Sequence, residues 1–403
     1  MTIGGITFLV NGRVIIKFGG ADLSTGEKIK KAAEMILKAG FRETVVVVSA
    51  MGNTTDNLIN VISHLGKICD KDYADILSMG ERTSARIFCS ALRALGADAV
   101  YIEPSHEEWP IITDSNFRDA KPDMQETCMR IQKYIEPLLS SGKIVVICGF
   151  LGKDKSGNVT TLGRGGSDTT ALILANCLRA EEVLLVKETE GVLSADPKIV
   201  DNPRILDKID IYEMFALAHG GAKVVKAEAL KYKIPGQKLR VVSFSSGNLK
   251  SSGTEIVGAL NSRSFEIKEE RNIAAISLIC DINPRNLSQI FETLDENMLL
   301  GVSTGRHSIT IFILTRDLKG LMNKLHGLSF VKALSCLTKV GLIEISHPDF
   351  VDSPGWVAKI TNVLASRGIN IIEVTTSKST ISIFIDEGKI DEAIMAVRDA
   401  LEA

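Results

Sequence analysis

The chain has 403 residues, 45% of them hydrophobic and 24% charged, which is enough length for two or three domains with cores of their own. Its formal charge of −2 gives no reason to expect nucleic acid or an anionic membrane surface as a partner. The seven cysteines are scattered without a Cys-x-x-Cys spacing, and no apolar run approaches the roughly 20 residues of a membrane span. We therefore expect reduced thiols, no zinc site and a cytoplasmic location.

From Arg13 to about Ser246, apolar runs of strand length alternate with helical patterns. The runs read VIIKF, VVVV, KIVVIC, EVLLVKE and LRVVS. Continuous runs of this kind are typical of strands buried on both faces of a parallel sheet. Between the first two runs, Glu27 to Ala39 places its apolar residues on one helical face. The pattern predicts an α/β fold over residues 1–260, a three-layer αβα sandwich around a mainly parallel sheet.

Small or charged polar groups follow the predicted strands, and ligands of such sheets bind beyond the carboxyl ends of the strands. Lys17 stands just before two glycines, where a lysine can place its charge on a phosphate while glycine amides cradle the oxygens. The plainer explanation is a lysine that extends to solvent from a strand end. Similar polar groups after several other strands weaken that explanation.

The stretch VTTLGRGGSDTTALIL joins a predicted strand to a predicted helix. Its two glycines permit close approach to a ligand, and Arg164 adds a positive charge beside the helix start. Ser167 or Asp168 is expected to cap a helix that begins at Thr169. Taken alone, the stretch is also compatible with a capped helix after a flexible turn.

Beyond a linker at residues 246–264, short alternating runs (IAAISLI, ITIFIL, LIEIS, ISIFID) bracket helical stretches at 355–367 and 389–401. The spacing fits two ferredoxin-like β-α-β-β-α-β units of roughly 65 residues, at 261–335 and 336–403. Each is expected to form its own four-stranded antiparallel sheet with helices on one side. Sheets of this kind leave edges that invite pairing with a second copy, so we expect a homo-oligomer.

Six stretches resemble, in order and spacing, the successive motifs of aspartate kinases in the amino acid kinase family. They are IIKFGGADLS, VVVVSAMGNTTDNL, ILSMGERTSARI, GFLGKDKSGNVTTLGRGGSDTTA, ETEGVLSADPKIV and EMFALAHGGAKVV. The resemblance runs from about Val14 onward and identifies the two C-terminal units as ACT units. It implies phosphorylation of the L-aspartate β-carboxylate by ATP to 4-phospho-L-aspartate, the first step towards lysine, threonine and methionine. Mg²⁺ is expected to arrive on the phosphates.

The resemblance also implies roles for single residues. Arg164 would hold the α-carboxylate of aspartate and Glu81 its α-ammonium. Lys17 and Lys223 would neutralise charge on the transferring phosphate, and Asp168 would orient these lysines. The implied acceptor pocket is completed by Ser49, Thr55, Gly165 and Ser167, and the implied nucleotide contacts add Gly19, Gly20, Lys187, Glu188, Gly191, Leu193, Asp196, Pro197 and Lys198 to the two lysines.

Three positions depart from the family pattern near the nucleotide. Ala21 stands where Thr or Ser is usual, Lys187 where Thr is usual and Leu193 where Tyr is usual. These departures put the adenine contacts in question and could tune the nucleotide preference or shift the acceptor. The six histidines have no metal-ligand spacing, and we expect no metal site built from protein side chains.

The second ACT unit contains a turn that resembles an effector site. Asp352, Ser353, Pro354 and Gly355 precede a helix whose start can receive an amino acid, lysine or threonine being the usual effectors of the family. Trp356 is bulky for this position and could plug the pocket. The first unit has no glycine in its corresponding turn, so we expect it to be mainly structural. The alternative is that both units only dimerise.

Two further classes of function stay open at this stage. A different kinase of the same fold could act on glutamate or an isoprenoid phosphate, although Glu81 and Arg164 suit an α-amino acid. A non-catalytic ACT regulator is less favoured because Lys17, Asp168 and Lys223 are all present. A dehydrogenase is disfavoured because KFGGAD lacks the Gly-x-Gly-x-x-Gly pattern.

Overall fold

The computed structural model describes residues 10–222, 224–260, 265–294, 298–351 and 353–402. The chain forms two compact units, residues 1–260 and 261–403. Among the described residues, no helix is both long and apolar enough to cross a membrane.

The first unit alternates strands and helices along the chain, as the sequence predicts. Its strands are β1 (Val10–Phe18), β2 (Glu43–Val48), β3 (Ala99–Ile102), β4 (Ile112–Thr113), β5 (Ile144–Cys148), β6 (Leu151–Asp154), β7 (Val159–Thr161), β8 (Ala180–Lys187), β9 (Val192–Leu193), β10 (Ile205–Leu206), β11 (Lys208–Asp210), β12 (Lys238–Ser243) and β13 (Gly253–Val257). Its helices are α1 (Gly26–Ala39), α2 (Thr54–Ser63), α3 (Asp70–Ala94), α4 (Met124–Arg130), α5 (Glu136–Ser140), α6 (Gly166–Leu178), α7 (Ile211–His219) and α8 (Ala227–Leu230), with a π-helical turn at Ile131–Ile135 and a 3₁₀ turn at Ala21–Leu23.

An eight-stranded sheet organises this unit, in the order β11-β13-β12-β8-β1-β2-β5-β3. All neighbouring strands run parallel except β12 and β13. The side chains of Val45–Val48 and Val183–Val186 are fully buried, which requires cover on both faces of the sheet. Helix α3 contacts β2, β3 and β5, and α6 contacts β1, β2 and β8. The predicted three-layer αβα sandwich is confirmed.

One expectation about the cysteines is wrong. Cys128 on α4 and Cys177 on α6 form a disulfide, with their Cα atoms 4.9 Å apart. The two cysteines are 49 residues apart in sequence, so no local spacing indicates that they pair. The free thiols are Cys69, Cys89, Cys148, Cys280 and Cys336.

In the second unit, the first six elements follow the predicted β-α-β-β-α-β order, and the second repeat of that order is incomplete, since the described residues form six strands rather than eight. Its strands are β14 (Glu266–Ile279), β15 (Met298–Thr304), β16 (Ser308–Leu314), β17 (Ala333–Ser346), β18 (Ile371–Ser377) and β19 (Thr380–Asp386). Its helices are α9 (Pro284–Thr293), α10 (Leu318–His326), α11 (Trp356–Ser366) and α12 (Ile390–Glu402), with 3₁₀ turns at Pro348–Phe350 and Glu387–Lys389.

These strands form one six-stranded antiparallel sheet, in the order β15-β16-β14-β17-β19-β18, rather than two separate sheets. Strands β14 and β17 each have 14 residues and pair along nearly their whole length. The segment 266–270 of β14 lies beside β17 in the half that continues to β19, and 333–337 of β17 lies beside the half of β14 that pairs with β16. Each ferredoxin-like half therefore takes its fourth strand from the other half, and the expectation of two independent sheets is wrong.

Two apolar clusters lie under the helices of this unit. The first is built from Ile276, Leu278, Ile290, Ile309, Ile311, Ile313, Leu321 and Leu325, with α9 and α10 as its cover. The second is built from Ile343, Ile345, Ile360, Leu364, Ile381, Ile383, Ile385, Ile390 and Val397, with α11 and α12 as its cover. Burial of alternate residues along the strands explains why the period-2 patterns could be recognised in the sequence.

Candidate active site

A buried cluster of charges lies at the carboxyl ends of two neighbouring parallel strands. Lys17 is near the end of β1 and Lys187 is the last residue of β8. Lys17 pairs in register with Leu185, so Lys187, two residues further along β8, extends from the same face of the sheet. Asp168 in the first turn of α6 meets both lysines, since α6 packs against these two strands.

The distances define a Lys17–Asp168–Lys187 triad. The Nζ atom of Lys17 lies 2.8 Å from Oδ1 of Asp168, and the Nζ atom of Lys187 lies 3.3 Å from its Oδ2. Burial disfavours the carboxylate, but the two ammonium groups outweigh it and hold the pKa of Asp168 at about 2. Burial lowers the pKa of Lys187 to about 8, against the opposing effect of the Asp168 carboxylate. Lys223 lies outside the described residues.

The start of α6 differs from the sequence-based expectation. The helix begins at Gly166 rather than Thr169, and no side chain caps it. Gly165 supplies the preceding turn with φ +81°, a conformation that glycine adopts without strain. Because neither Ser167 nor Asp168 is a cap, the carboxylate of Asp168 is available to the two lysines, and the capping expectation is wrong.

A cavity of about 380 Å³ opens beside this triad. It brings together residues that are far apart in sequence but were grouped by the motifs: Lys17, Gly20, Ser49, Thr55, Glu81, Arg164, Gly165 and Ser167. Ser49, after β2, donates a hydrogen bond to the Ser167 hydroxyl at 3.0 Å, so the β2 turn and the start of α6 are joined at the cavity wall.

Glu81 provides the buried negative charge of this cavity. It lies in the middle of α3, and its Oε1 accepts a hydrogen bond from the amide of Ala50 at 3.0 Å. Its Oε2 is buried and has no hydrogen-bond partner. Burial raises the pKa of Glu81 to about 7, although the backbone hydrogen bond from Ala50 favours the ionised form. The preceding residue, Gly80, lets α3 approach the β2 turn, since a Cβ there would lie 2.8 Å from the Cβ of Ala50.

Arg164 provides positive charge at the same cavity. It is exposed and forms no ion pair with any described residue. Glu81, whose Oε2 has no hydrogen-bond partner, and Arg164 therefore line the same cavity. A small molecule with an ammonium and a carboxylate group matches that arrangement.

Sequence reasoning missed other side chains in the cavity wall, among them Tyr73, Arg118 and Phe150. Arg118 lies over the ring of Tyr73 at 4.2 Å and forms an ion pair with Asp70 at 2.7 Å. Phe150 lies within the motif that begins GFLG but has no polar group that would single it out. Tyr73 and Arg118 lie outside the recognised motifs, so no local signal could have identified them.

The glycine turn after β1 is tightly packed. A Cβ on Gly20 would lie 2.7 Å from the carbonyl oxygen of Ala50, so only glycine fits there. The amide of Gly19 donates to Oδ2 of Asp22 at 3.0 Å. Oδ1 of Asp22 is buried without a partner, and burial raises the pKa of this carboxyl to about 6. The sequence pattern did not indicate that a carboxylate would face the glycine turn.

The remaining residues of the implied nucleotide segment lie along the chain after β8. Glu188 forms an ion pair with Lys28 at 3.2 Å and lines a second cavity of about 430 Å³ with Lys31 and Phe244. Leu193 in β9 pairs with Ile205 in β10. Asp196 accepts a hydrogen bond from the amide of Lys198 at 2.8 Å across Pro197, and Gly191 lies against Thr254.

The turn before α11 lines a cavity of about 680 Å³ in the second unit. Ser353, Pro354 and Gly355 contribute to it, and Asp352 lies outside the described residues. Trp356 lines this cavity and packs against Phe265 and Phe350, with ring centroids 5.4 Å apart in each pair. The tryptophan is a wall of the cavity, and the space beside the turn remains open.

Comparisons with known proteins agree with this architecture. The model of the amino acid kinase family matches residues 12–243, and that of an ACT domain matches residues 340–399. Because the first match covers more than half of the chain, the chain belongs to the amino acid kinase family. Its enzymatic class is that of a phosphotransferase with a carboxyl group as acceptor.

Full-length relatives define the family further. An aspartokinase of Bacillus sp. (strain MGA3) is 32% identical, over 97% of this chain and 97% of its own length. An aspartokinase of Mycolicibacterium smegmatis is 30% identical over 96% and 95%, respectively. The crystal structure of aspartate kinase from Synechocystis superposes with a TM-score of 0.74 at 25% identity, over 97% of this chain and 70% of that one. The chain is a member of the aspartokinases.

Proposed function

We propose that the chain transfers the γ-phosphoryl group of ATP to the β-carboxylate of L-aspartate, giving 4-phospho-L-aspartate. The observation that carries the proposal is that Glu81 and Arg164 line one cavity. The α-ammonium of aspartate would bind the buried glutamate oxygen, and the α-carboxylate would bind the arginine in a two-point contact. These contacts would direct the β-carboxylate towards Lys17.

The proposed transfer is a direct displacement at phosphorus. An oxygen of the β-carboxylate bonds to the γ-phosphorus, and the bond between that phosphorus and the β,γ-bridging oxygen breaks to leave ADP. No general base is needed, because a carboxylate is already ionised at neutral pH. The main barrier is the approach of two anions, so Lys17 and Lys223 would stabilise the charge on the transferring group. Asp168 would orient Lys17 at its 2.8 Å contact.

ATP would lie across the glycine turn and the segment from Lys187 to Lys198, with Mg²⁺ held mainly by phosphate oxygens and water. The part of the chain that the structure describes has no cluster of three or more His, Cys, Asp or Glu side chains suited to one ion. When bound, the ion would neutralise charge on the phosphates.

Regulation is proposed for the second unit. An amino-acid effector, lysine or threonine, would bind at the cavity formed by Ser353, Pro354 and Gly355, or at an interface between ACT units of two copies. The division into a first ACT unit at 261–335 and a second at 336–403 also remains a proposal, with β14 and β17 contributing a strand to both. A cytoplasmic homo-oligomer on the pathway to lysine, threonine and methionine is the proposed context.

Two substrate analogues test the assignment of the acceptor groups. β-Alanine lacks the α-carboxylate of aspartate, and succinate lacks the α-ammonium. We expect Arg164→Ala to lower kcat/KM for aspartate about 100-fold but to change the β-alanine rate little, since that substrate has no group for Arg164. Glu81→Gln should likewise lower kcat/KM for aspartate but change the rate with succinate little, since succinate has no ammonium group for Glu81.

A matched control is available in the same cavity. Arg118 is engaged by Asp70 and Tyr73, so Arg118→Ala should lower kcat/KM for aspartate less than about threefold. Equal losses for aspartate and β-alanine in Arg164→Ala would contradict the assignment of Arg164.

A further inference from the structure

Lys187 lies in the transfer centre rather than in a purely adenine-binding position. Its Nζ atom is 3.4 Å from Oδ1 and 3.3 Å from Oδ2 of Asp168, at the end of the strand beside the one that carries Lys17. Two cations, Lys17 and Lys187, therefore lie against one carboxylate.

The charges around the triad are one carboxylate in contact with Lys187 and a second, that of Asp22, which attracts Lys17 and Lys187 only at longer range. Asp168 is one carboxylate between two ammonium groups, and Lys17 holds it at the shorter distance of 2.8 Å. Glu188 is engaged by Lys28, and Oδ2 of Asp22 accepts the Gly19 amide. Within the described ranges, Asp168 is the carboxylate that contacts Lys187.

The side chain of Lys187 is partly open, more so than its two partners in the triad. Its side chain retains 19% of its exposure, against 8% for Lys17 and 6% for Asp168. A lysine with three donors and one loosely held carboxylate can bind a further anion without leaving its position. Lys17 and Gly20 line the cavity of about 380 Å³, and Lys187 lies at the end of the strand next to Lys17. The proposed function places the phosphates of the nucleotide beside these residues.

We propose that Lys187 is an additional phosphate-binding residue, which contacts the phosphate chain of the nucleotide beside Lys17 and supplements the charge neutralisation at the transfer centre. This inference rests on the proposed function for the placement of the nucleotide. The competing explanation is that Lys187 only neutralises Asp168. The pairing of Asp168 with Lys17 makes that explanation weaker, since one carboxylate needs one counterion.

Calorimetric titration with two probes, ADP and adenosine, separates these explanations because only ADP has phosphates. The variants are Lys187→Met, Lys187→Arg and the control Lys238→Met, which removes an exposed lysine from the opposite end of the neighbouring strand β12. We expect Lys187→Met to weaken ADP binding about 10- to 100-fold and to leave adenosine binding unchanged. Lys187→Arg should recover part of the loss, and Lys238→Met should bind both probes like the unmodified protein.

The inference is overturned if Lys187→Met, shown to be folded by its thermal transition, binds ADP as tightly as the unmodified protein. It is also overturned if adenosine and ADP binding weaken equally, which would place Lys187 against the nucleoside. Because the titration contains no aspartate, it is independent of the acceptor. If the unmodified protein binds ADP but forms no aspartyl phosphate, the proposed function fails while a phosphate-specific loss in Lys187→Met still supports the role of Lys187.

Discussion

The two compact units bury different kinds of side chain. In the first unit, the ionisable residues Lys17, Glu81 and Asp168 retain only 6%, 3% and 4% of their exposure. In the second unit, the buried clusters are almost entirely aliphatic, and His347 is the sole buried polar residue among those described there. Burial of a charge is unfavourable unless the charge is paired. Lys17 and Asp168 pair with each other, but Oε2 of Glu81 in α3 is buried without a partner, so the first unit accepts an energetic penalty there.

This difference shows where each unit can perform chemistry. The unpaired Oε2 of Glu81 and the loosely paired Lys187 lie in a site that is suited to charged ligands. The second unit offers a continuous six-stranded sheet and an open turn before α11, a geometry suited to pairing with another copy and to binding a small effector. We propose catalysis for the first unit and regulation for the second.

The largest effect is expected from removing the central carboxylate of the first unit. Asp168→Asn leaves Lys17 and Lys187 buried without a counterion, so the free energy of unfolding should fall by about 3 kcal/mol or more. Transfer should slow by at least about 100-fold, since Lys17 loses its orientation. Chemical denaturation and steady-state kinetics check both values. The control Asp98→Asn, which breaks the exposed contact with Lys143, should change unfolding by less than about 1 kcal/mol.

The second prediction concerns the pH dependence of aspartate binding. Glu81 has a pKa of about 7 and must be ionised to bind the α-ammonium. Therefore kcat/KM for aspartate should fall about tenfold per pH unit below that pKa. In Glu81→Gln the profile should lose this limb and remain low throughout. A profile that stays flat down to pH 5 in the unmodified protein would argue against Glu81 as the ammonium ligand.

The third prediction tests the second unit. Gly355 has φ +98° at the N-terminus of α11, and an added carboxylate there would repel the carboxylate of an amino-acid effector. We expect Gly355→Asp to abolish inhibition by lysine or threonine, measured as the ratio of rates with and without effector. Gly368→Asp is the matched control, since Gly368 also has positive φ, +66°, just after the same helix. Full inhibition in Gly355→Asp would contradict an effector site at this turn and would favour the alternative that the ACT units only dimerise.

The smallest effect is a gain in stability. The folded pKa of Glu81 lies above its ordinary value of 4.5, so the buried carboxyl destabilises the fold increasingly as pH rises from 4.5 through 7. Glu81→Gln should therefore be more stable than the unmodified protein at pH 8, by about 1–3 kcal/mol, and the difference should vanish below pH 4.5. Unfolding experiments at pH 8 and below pH 4.5 would measure how much the ionised Glu81 lowers the free energy of unfolding when no ligand is bound.

Much of the first unit's sheet and of its candidate site could be predicted from the sequence, because strand periodicity and local motifs are short-range signals. The buried runs predicted β1, β2, β5, β8 and β12, and the motifs grouped Lys17, Glu81, Arg164 and Asp168, which the structure places around one cavity and its adjoining triad. The helix begins at Gly166, three residues before the predicted start, and the two predicted caps bond elsewhere: Ser167 to Ser49, and Asp168 to the two lysines.

Features that depend on long-range pairing could not be predicted. Strands β14 and β17 exchange partners across the two ferredoxin-like halves, and nothing in either run specifies its neighbour. The Cys128–Cys177 disulfide joins two helices that are distant in sequence. The contact of Lys187 with Asp168 arises from the register between β1 and β8, which a strand pattern does not contain. Arg118 reaches the cavity through a loop without a motif.

The most direct measurement of the central claim is ATP turnover in the presence of hydroxylamine, which traps an acyl phosphate as its hydroxamate. L-Aspartate, L-glutamate and no acceptor should be compared in the unmodified protein and in Arg164→Ala. The account predicts hydroxamate that depends on aspartate and is nearly lost in the variant. Hydroxamate with glutamate alone, or none with either acceptor, would contradict it.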